Sequence, residues 1–374
     1  MGKSLGLSPS FSGMISDVDP QIQSPLIIWQ RMKTFPMECP DSRLCTLDLS
    51  RRQWLKAGAL GLGGAYSAIS SPLGAQEVWP ARPVKLIVSS SPGGGTDLYA
   101  RMLAQALGDV FKQQFVVENR PGASGNIGAA AVAKSPPDGY TFLVSANTSL
   151  TINGSLFKNL SYDAERDFVP IMRAFAPLVL VVHPATKARS LAELIDLGKR
   201  EPGKVSFGSA GTGSTTYLGV RMLEEKTGAR FLHVPYKGVG PAYQDLLAGQ
   251  LNFLFPDVAS ALSLIKAGKI IPIASEQRTP LLPGLPTVAE AGVADVSTNS
   301  SFSLVAPTGT PAAVVERMSR ELLAITKSAP FAAKLESQGL VGELETPLAL
   351  AASMKKERDI YAAFIKRNGI VASD

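Results

Sequence analysis

Two glycine-rich loops carry the chemistry open to this chain. The first is Ser89-Ser-Ser-Pro-Gly-Gly-Gly-Thr96, preceded by the apolar run Lys85-Leu-Ile-Val88 and followed by an amphipathic stretch from about Asp97 to Asp109. The second is Gly208-Ser-Ala-Gly-Thr-Gly-Ser214, preceded by Lys204-Val-Ser-Phe207 and followed by a helical pattern from about Thr215 to Lys226. A strand that turns through glycine into a helix leaves backbone N–H groups unpaired at the positive end of the helix dipole, where anions are favoured. Neither loop contains Lys or Arg, so an anion held there is held by neutral donors. Two such cradles, one in each of two domains, point to a carboxylate clamped in a cleft.

Within the first loop the candidate contacts are Ser91, Pro92, Gly93, Gly94 and Thr96. The glycines form a tight turn, and their missing side chains let an oxygen approach the backbone. Ser91 and Thr96 add hydroxyl donors. Asp97 would repel a carboxylate and reads instead as a first-turn acid that complements the helix dipole and pairs with Arg101 four residues on. Ser145, Asn147 and Thr148 follow a strand and either line the cleft or cap a helix. In the second loop Ser209, Ala210, Gly211, Thr212, Gly213 and Ser214 mirror the first. Asp257 either N-caps the helix expected over Ala259–Ala267 or meets a ligand ammonium. Lys237, in a Tyr-Lys-Gly turn, reads as solvated.

Catalysis fails on inventory. There is no Gly-x-Ser-x-Gly elbow, no Walker lysine after either loop, and Gly211-x-Gly213 lacks the third glycine of a dinucleotide fingerprint. A loop serine such as Ser214 has no convincing base, so the chain does not read as an enzyme. Cys39 and Cys45 both precede the export cleavage site proposed below, which leaves the mature chain without a thiol. His183 and His233 are the only histidines, and both sit in strand-like apolar runs with structural roles. No metal or cofactor is expected. The net charge of +6 is scattered, with no Lys/Arg-rich run, so nucleic acid is not an expected partner.

Near the N-terminus, Ser50-Arg51-Arg52-Gln53-Trp54-Leu55-Lys56 resembles a twin-arginine export signal. The apolar stretch Ala57 to Ser70 is too short to span a bilayer as a helix. Residues 50–75 therefore read as a signal peptide cleaved after Ala75, with Ser70 the alternative, and the product is expected in the periplasm. Residues 1–49 are rich in Ser and Pro and read as a disordered or mis-annotated extension, with Met37, or else Met32, as the true start.

From Trp79 onward, short apolar runs alternate with helical patterns, which is the signature of an α/β fold. Strands are expected at Val84–Val88, Phe115–Val117, Thr141–Val144, Leu178–Val182, Val205–Phe207, Phe231–Val234, Asn252–Phe255, Ile270–Ala274 and Ser303–Val305. A helix N-capped by Thr310, with Pro311 first, should bury Val315, Met318, Leu322 and Ile325. A last helix covers about Pro347 to Asn368. His183-Pro184 and the polar stretch before residue 301 punctuate the chain, so residues 76–183 with 301–374 form one domain and 184–300 an inserted second. Two crossings between domains make a hinge.

Several stretches carry a family likeness: Trp79-Pro-Ala-Arg-Pro83, Ser91-Pro-Gly-Gly-Gly-Thr-Asp97, Glu118-Asn-Arg-Pro-Gly-Ala-Ser-Gly-Asn126, Pro137-Asp-Gly-Tyr140, Gly208 to Ser214, Val234-Pro-Tyr-Lys-Gly238, Asp245-Leu-Leu-Ala-Gly-Gln250, Leu285-Pro-Thr-Val-Ala-Glu290 and Ala306-Pro-Thr-Gly-Thr-Pro311. In this order they resemble the Bug family of solute receptors of tripartite tricarboxylate transporters, across essentially all of residues 79–374. The resemblance implies a two-domain, type II-like Venus-flytrap periplasmic-binding-protein fold. Its cleft grips a ligand carboxylate between two strand–turn–helix elements, which map onto Ser89–Asp97 and Ser209–Ser214. It further implies a monomeric receptor for a small organic anion (a di- or tricarboxylate, acidic amino acid or aromatic carboxylate) that hands it to membrane permease subunits. A ligand sensor docking on a signalling receptor such as a sensor kinase is the alternative. Tyr217 departs from the family, whose members often carry His there; facing the cleft, it would present a phenol to the ligand.

Overall fold

The computed structural model describes residues 79–372 apart from Leu344. The export signal and the extension before it lie outside the described residues.

The chain opens with β1 (Val84–Val88), α1 (Gly95–Phe111), β2 (Phe115–Asn119), α2 (Asn126–Ala133), β3 (Thr141–Ala146), the short helix α3 (Asn153–Leu156) and β4 (Phe168–Phe175). It continues through β5 (Val179–Val182), α4 (Leu191–Arg200), β6 (Ser206–Ser209), α5 (Thr215–Thr227), β7 (Leu232–Pro235), α6 (Val239–Leu247), β8 (Phe253–Leu254), α7 (Val258–Lys266) and β9 (Ile271–Ser275). It returns as β10 (Ser301–Pro307), α8 (Ala312–Lys327), α9 (Ala329–Ser337), β11 (Val341–Glu343) and α10 (Pro347–Arg367).

These strands make two sheets, ordered β11-β4-β10-β3-β1-β2 and β7-β6-β8-β5-β9. In the first, β1 lies parallel between β2 and β3, while β10, β4 and β11 add antiparallel. In the second, β6 lies parallel between β7 and β8, and β5 pairs antiparallel with β8 and β9. The central position of β1 explains its composition: Val84, Leu86, Ile87 and Val88 are all buried, as a parallel strand covered on both faces requires. Each glycine-rich loop leaves the carboxyl end of the parallel strand that has a neighbour on either side. That is where α/β sheets bind ligands.

One boundary differs from the sequence expectation. The strand Val179–Val182 pairs with Leu254, Phe253 and the 271–275 segment, so it belongs to the second sheet and not the first. His183-Pro184 ends a strand without ending a domain. The chain crosses between sheets earlier, at 176–178, and returns at 296–300. Thr310 likewise does not cap α8; its hydroxyl donates to the Pro307 carbonyl at 2.7 Å, and Pro311 takes the cap position. In α8 Val314 is the buried residue of the first turn and Val315 only partly so. Strands β4 and β11 and helix α9 add to the elements expected from sequence; Pro170 and Arg173 break the apolar run of β4.

The two crossings are tied together. Ala176 N donates to the Ser300 carbonyl at 2.7 Å. The Glu276 carboxylate accepts from Leu178 N on the first crossing at 3.1 Å, and from Thr298 N and the Ser297 hydroxyl on the second. Helix α10 spans this region. Its Leu350 and Met354 pack with β1, β3 and β10, whereas Tyr361, Phe364 and Ile365 pack with the core of the second sheet. Tyr361 also donates its hydroxyl to the Thr298 carbonyl. Among the described residues no helix is long and apolar enough to cross a membrane.

Candidate functional site

The first loop is rigidified by one carboxylate. Asp97 accepts from Gly93 N at 3.1 Å, Asn119 Nδ2 at 3.0 Å and Arg101 Nε at 3.0 Å. Burial pushes its pKa up, but the hydrogen bonds from Arg101, Gly93 and Asn119 outweigh that and hold it below the usual carboxylate range. Asp97 thus pins the turn from behind, the structural role its position suggested. At the carboxyl end of β1 the Ser89 hydroxyl meets that of Ser145 at 2.6 Å, and Ser145 meets Ser149 at 2.5 Å.

The second loop is held by hydroxyls. Ser209 is fully buried; its Oγ lies 2.7 Å from His233 Nε2 and accepts from Gly211 N at 3.1 Å. Ala210 N donates to Thr216 Oγ1 at 3.0 Å, and Ser214 caps α5 by accepting from Tyr217 N. The N–H groups of Tyr217 and Leu218 both turn to the Ser214 carbonyl, so those of Thr215 and Thr216 precede the ladder.

Between the two sheets these elements line a partly open cavity of about 60 Å³. Among its 21 lining residues, ten carry a hydroxyl: Ser89, Ser90, Thr96, Ser124, Ser145, Thr148, Ser214, Thr215, Thr216 and Ser300. The only charged ones are Lys237 and Asp257. Such a wall offers mainly neutral hydroxyl groups, whose hydrogen bonds strengthen where water is excluded. Among the described residues no cluster of three His, Cys, Asp or Glu is arranged to hold a metal.

Of the residues singled out from sequence, Gly94, Thr96, Ser145, Thr148, Ala210, Ser214 and Asp257 line this cavity. The others sit elsewhere. Ser91 and Pro92 pack under Gly238 and Gly240, where an added Cβ would come within 2.3 Å of Ser91 Oγ and 2.5 Å of the Pro92 carbonyl. Gly93 is spent on Asp97. The Asn147 amide donates to Asn299 O at 3.3 Å and Tyr361 Oη at 3.2 Å, which places it at the crossings. Ser209 is a loop brace. Gly211, Thr212 and Gly213 form a seam with the opposite lobe: Ser124 Oγ donates to Thr212 O at 2.9 Å, and a Cβ on Gly213 would lie 1.9 Å from Leu156. Both glycines have positive φ, 113° and 86°, so they are needed for backbone shape and for close approach. Tyr217 is not among the lining residues and packs against Phe207 and against His233, 4.6 Å away between ring centroids.

Several lining residues were missed. Ser89, Ser90, Thr215 and Thr216 flank the glycines and could have been found by asking which N–H groups a helix start leaves free. Ser124 had no such signal: Ala123 and Ser124 adopt positive φ of 47° and 50° without being glycine. Leu178, Ser300 and Phe302 come from the crossings and β10, far away in sequence.

His233 supplies a testable electrostatic consequence. Burial, and secondarily the charge of Arg221, lower its pKa from 6.5 to about 4. The unfolded chain therefore binds more protons between these values. Stability rises with pH from about 4 to 6.5 and is fully present above that window. The contribution should be about 2 kcal/mol after allowing for partial exposure. Urea unfolding across this range should show the loss in the wild type and a flatter profile in His233→Gln, which keeps a partner for Ser209. Equal slopes would remove His233 as the cause.

The sequence comparisons agree with this geometry. The family model described as "Tripartite tricarboxylate transporter family receptor" matches residues 99–344. BugT of Bordetella pertussis is 35% identical over 314 residues, covering 83% of this chain and 96% of that protein. A UPF0065 protein from the tcbD-tcbE intergenic region of Pseudomonas sp. (strain P51) is 33% identical over 332 residues, covering 88% of this chain and 96% of the relative. Among solved structures, the periplasmic binding protein BugD superposes with a TM-score of 0.75 at 32% identity, over 79% of this chain and 100% of BugD. An R. palustris protein solved with adipate gives 0.76 at 34% identity, over 78% of this chain and 99% of that one. MatC from Rhodopseudomonas palustris, solved with malate, gives 0.71 at 26% identity, over 77% of this chain and 100% of MatC. Family, relatives and fold thus converge with the interlobe cavity on a binding protein and not an enzyme: this chain belongs to the tripartite tricarboxylate transporter family of periplasmic solute-binding receptors, the family of the Bug proteins.

Proposed function

We propose that this protein captures a small organic carboxylate in the periplasm and delivers it, as a monomer, to the membrane subunits of a tripartite transporter. The observation that carries this reading is the hydroxyl-rich cavity at the carboxyl ends of β1 and β6, with the first residues of α5 on its wall. Ser89, Ser145 and Thr148 from one lobe and Ser214, Thr215 and Thr216 from the other line it on two sides. Adipate and malate in the similar structures are both dicarboxylates, which supports this class of ligand. Residues 50–75 serve as the export signal, cleaved near Ala75.

A thermal-shift screen over dicarboxylates, tricarboxylates, acidic amino acids and aromatic carboxylates tests it, because a ligand of the native state alone raises the melting temperature. At least one acid should raise it by several degrees at a hundredfold excess over Kd, corresponding to about 2.7 kcal/mol. Absence of any shift, with no heat of binding by titration calorimetry, would overturn the assignment.

A further inference from the structure

Asp257 is the one acidic residue in the cavity wall, and two helix N-termini converge on it. It caps its own helix α7 by accepting from Ser260 N at 2.8 Å. Across the cleft it lies against the start of α1: a Cβ on Gly95 would fall 2.2 Å from Asp257 Oδ1 and 2.5 Å from its Cγ. The residue is 5% exposed, and among the described residues no Lys or Arg forms an ion pair with it. Burial raises its pKa, while the Ser260 and Gly95 N–H groups favour the anion. The first N–H of α1 therefore already faces a carboxylate that belongs to the protein. The corresponding groups of α5, on Thr215 and Thr216, do not.

We propose that Asp257 is a specificity-determining residue: it accepts a hydrogen bond from a hydroxyl or ammonium that the ligand carries beside its carboxylate, while that carboxylate sits at the N-terminus of α5. This rests on the reading of the cavity as a carboxylate site. The Asp257 carboxylate accepts from the backbone N–H groups of Ser260 and Gly95, with the Ser260 hydroxyl also favouring its anionic form. That carboxylate also lines the cavity, within reach of a ligand there. A second anion placed there would face a like charge with no cationic partner among the described residues, whereas a donor would add to its hydrogen bonding. A 2-hydroxy or 2-amino acid has the donor at the correct short distance from the carboxylate; an unsubstituted acid offers Asp257 none.

The test uses three matched series in titration calorimetry: succinate, malate and aspartate; glutarate, 2-hydroxyglutarate and glutamate; 3-phenylpropionate, phenyllactate and phenylalanine. In at least one series the hydroxy or amino acid should bind at least about tenfold tighter than the parent acid, the ratio expected for a hydrogen bond to a charged group. Asp257→Ser, which retains a capping residue for α7, should reduce that ratio to near one. Asp257→Asn, also a cap, should spare a hydroxyl preference and weaken an ammonium one, which separates the two donors. Circular dichroism confirms that the variants fold. Parent acids that bind as tightly as their substituted forms, or a ratio unchanged in Asp257→Ser, overturn the inference and leave the carboxylate reading standing. Binding of no acid in any series overturns both.

Discussion

Gly95→Val should reduce carboxylate affinity by at least about a hundredfold while leaving both lobes folded. Gly95 opens α1 with no positive φ, so a side chain there meets no backbone strain, and helix propensity favours the change at least in the Gly95→Ala variant. The obstacle is tertiary. An added Cβ would stand 2.5 Å from Asp257 Cγ, across the cleft, and 2.6 Å from the Phe302 ring within its own lobe. The ring tip can shift, but the Asp257 carboxylate is fixed by the first turn of α7. The lobes must therefore separate, and donors on α5 lose register with those of β1 and β3. Calorimetry measures the affinity, and small-angle scattering should report a larger radius of gyration. Gly95→Ala should fall between Gly95→Val and the wild type. Wild-type affinity in Gly95→Val would mean that closure does not depend on this contact.

Arg173→Met should cost about 3–5 kcal/mol of stability, because removing one partner of a buried pair leaves the other charge uncompensated. Arg173 is 2% exposed on β4, 2.6 Å from Glu357 and 2.6 Å from the Ser353 hydroxyl, both on α10, with its guanidinium 4.8 Å over the Phe175 ring. This cluster fastens to the first sheet the helix that also packs on the second. The double variant Arg173→Met/Glu357→Gln should recover much of the loss, since no buried charge then remains. Guanidinium unfolding of the two singles and the double gives the coupling directly. A loss below about 1 kcal/mol in the single variant would place the pair among weak, solvent-screened ones.

Glu276 and Tyr361 show why the crossings were harder to read than the loops. Glu276 sits just after a strand, where a charged residue ordinarily marks a surface turn, and its partners Leu178 and Thr298 are distant in sequence. Tyr361 looks like one more apolar residue on a helical stripe until its hydroxyl is seen to reach Thr298 O. The boundary at His183-Pro184 was misplaced for the same reason. Proline marks where a strand stops, but sheet membership depends on which neighbours the strand pairs with, and β5 pairs with β8 and β9.

The sequence by itself determined the strand–loop–helix units and their caps. These follow from interactions within a few residues: Ser214 and Asp257 reach N–H groups three positions on, and Asp97 pairs with Arg101 one turn later. Absence of Lys and Arg from both loops is likewise a property of the string. Only the tertiary structure decided which of these residues face the cavity. Gly211 and Gly213 became a seam, Asn147 joined the crossings, Tyr217 turned into the second lobe's core, and Asp257 met Gly95 from the other side. The orientation of a loop relative to its partner is set by how two sheets close on each other. That closure depends on contacts such as Ser124 with Thr212, which no local pattern of residues encodes.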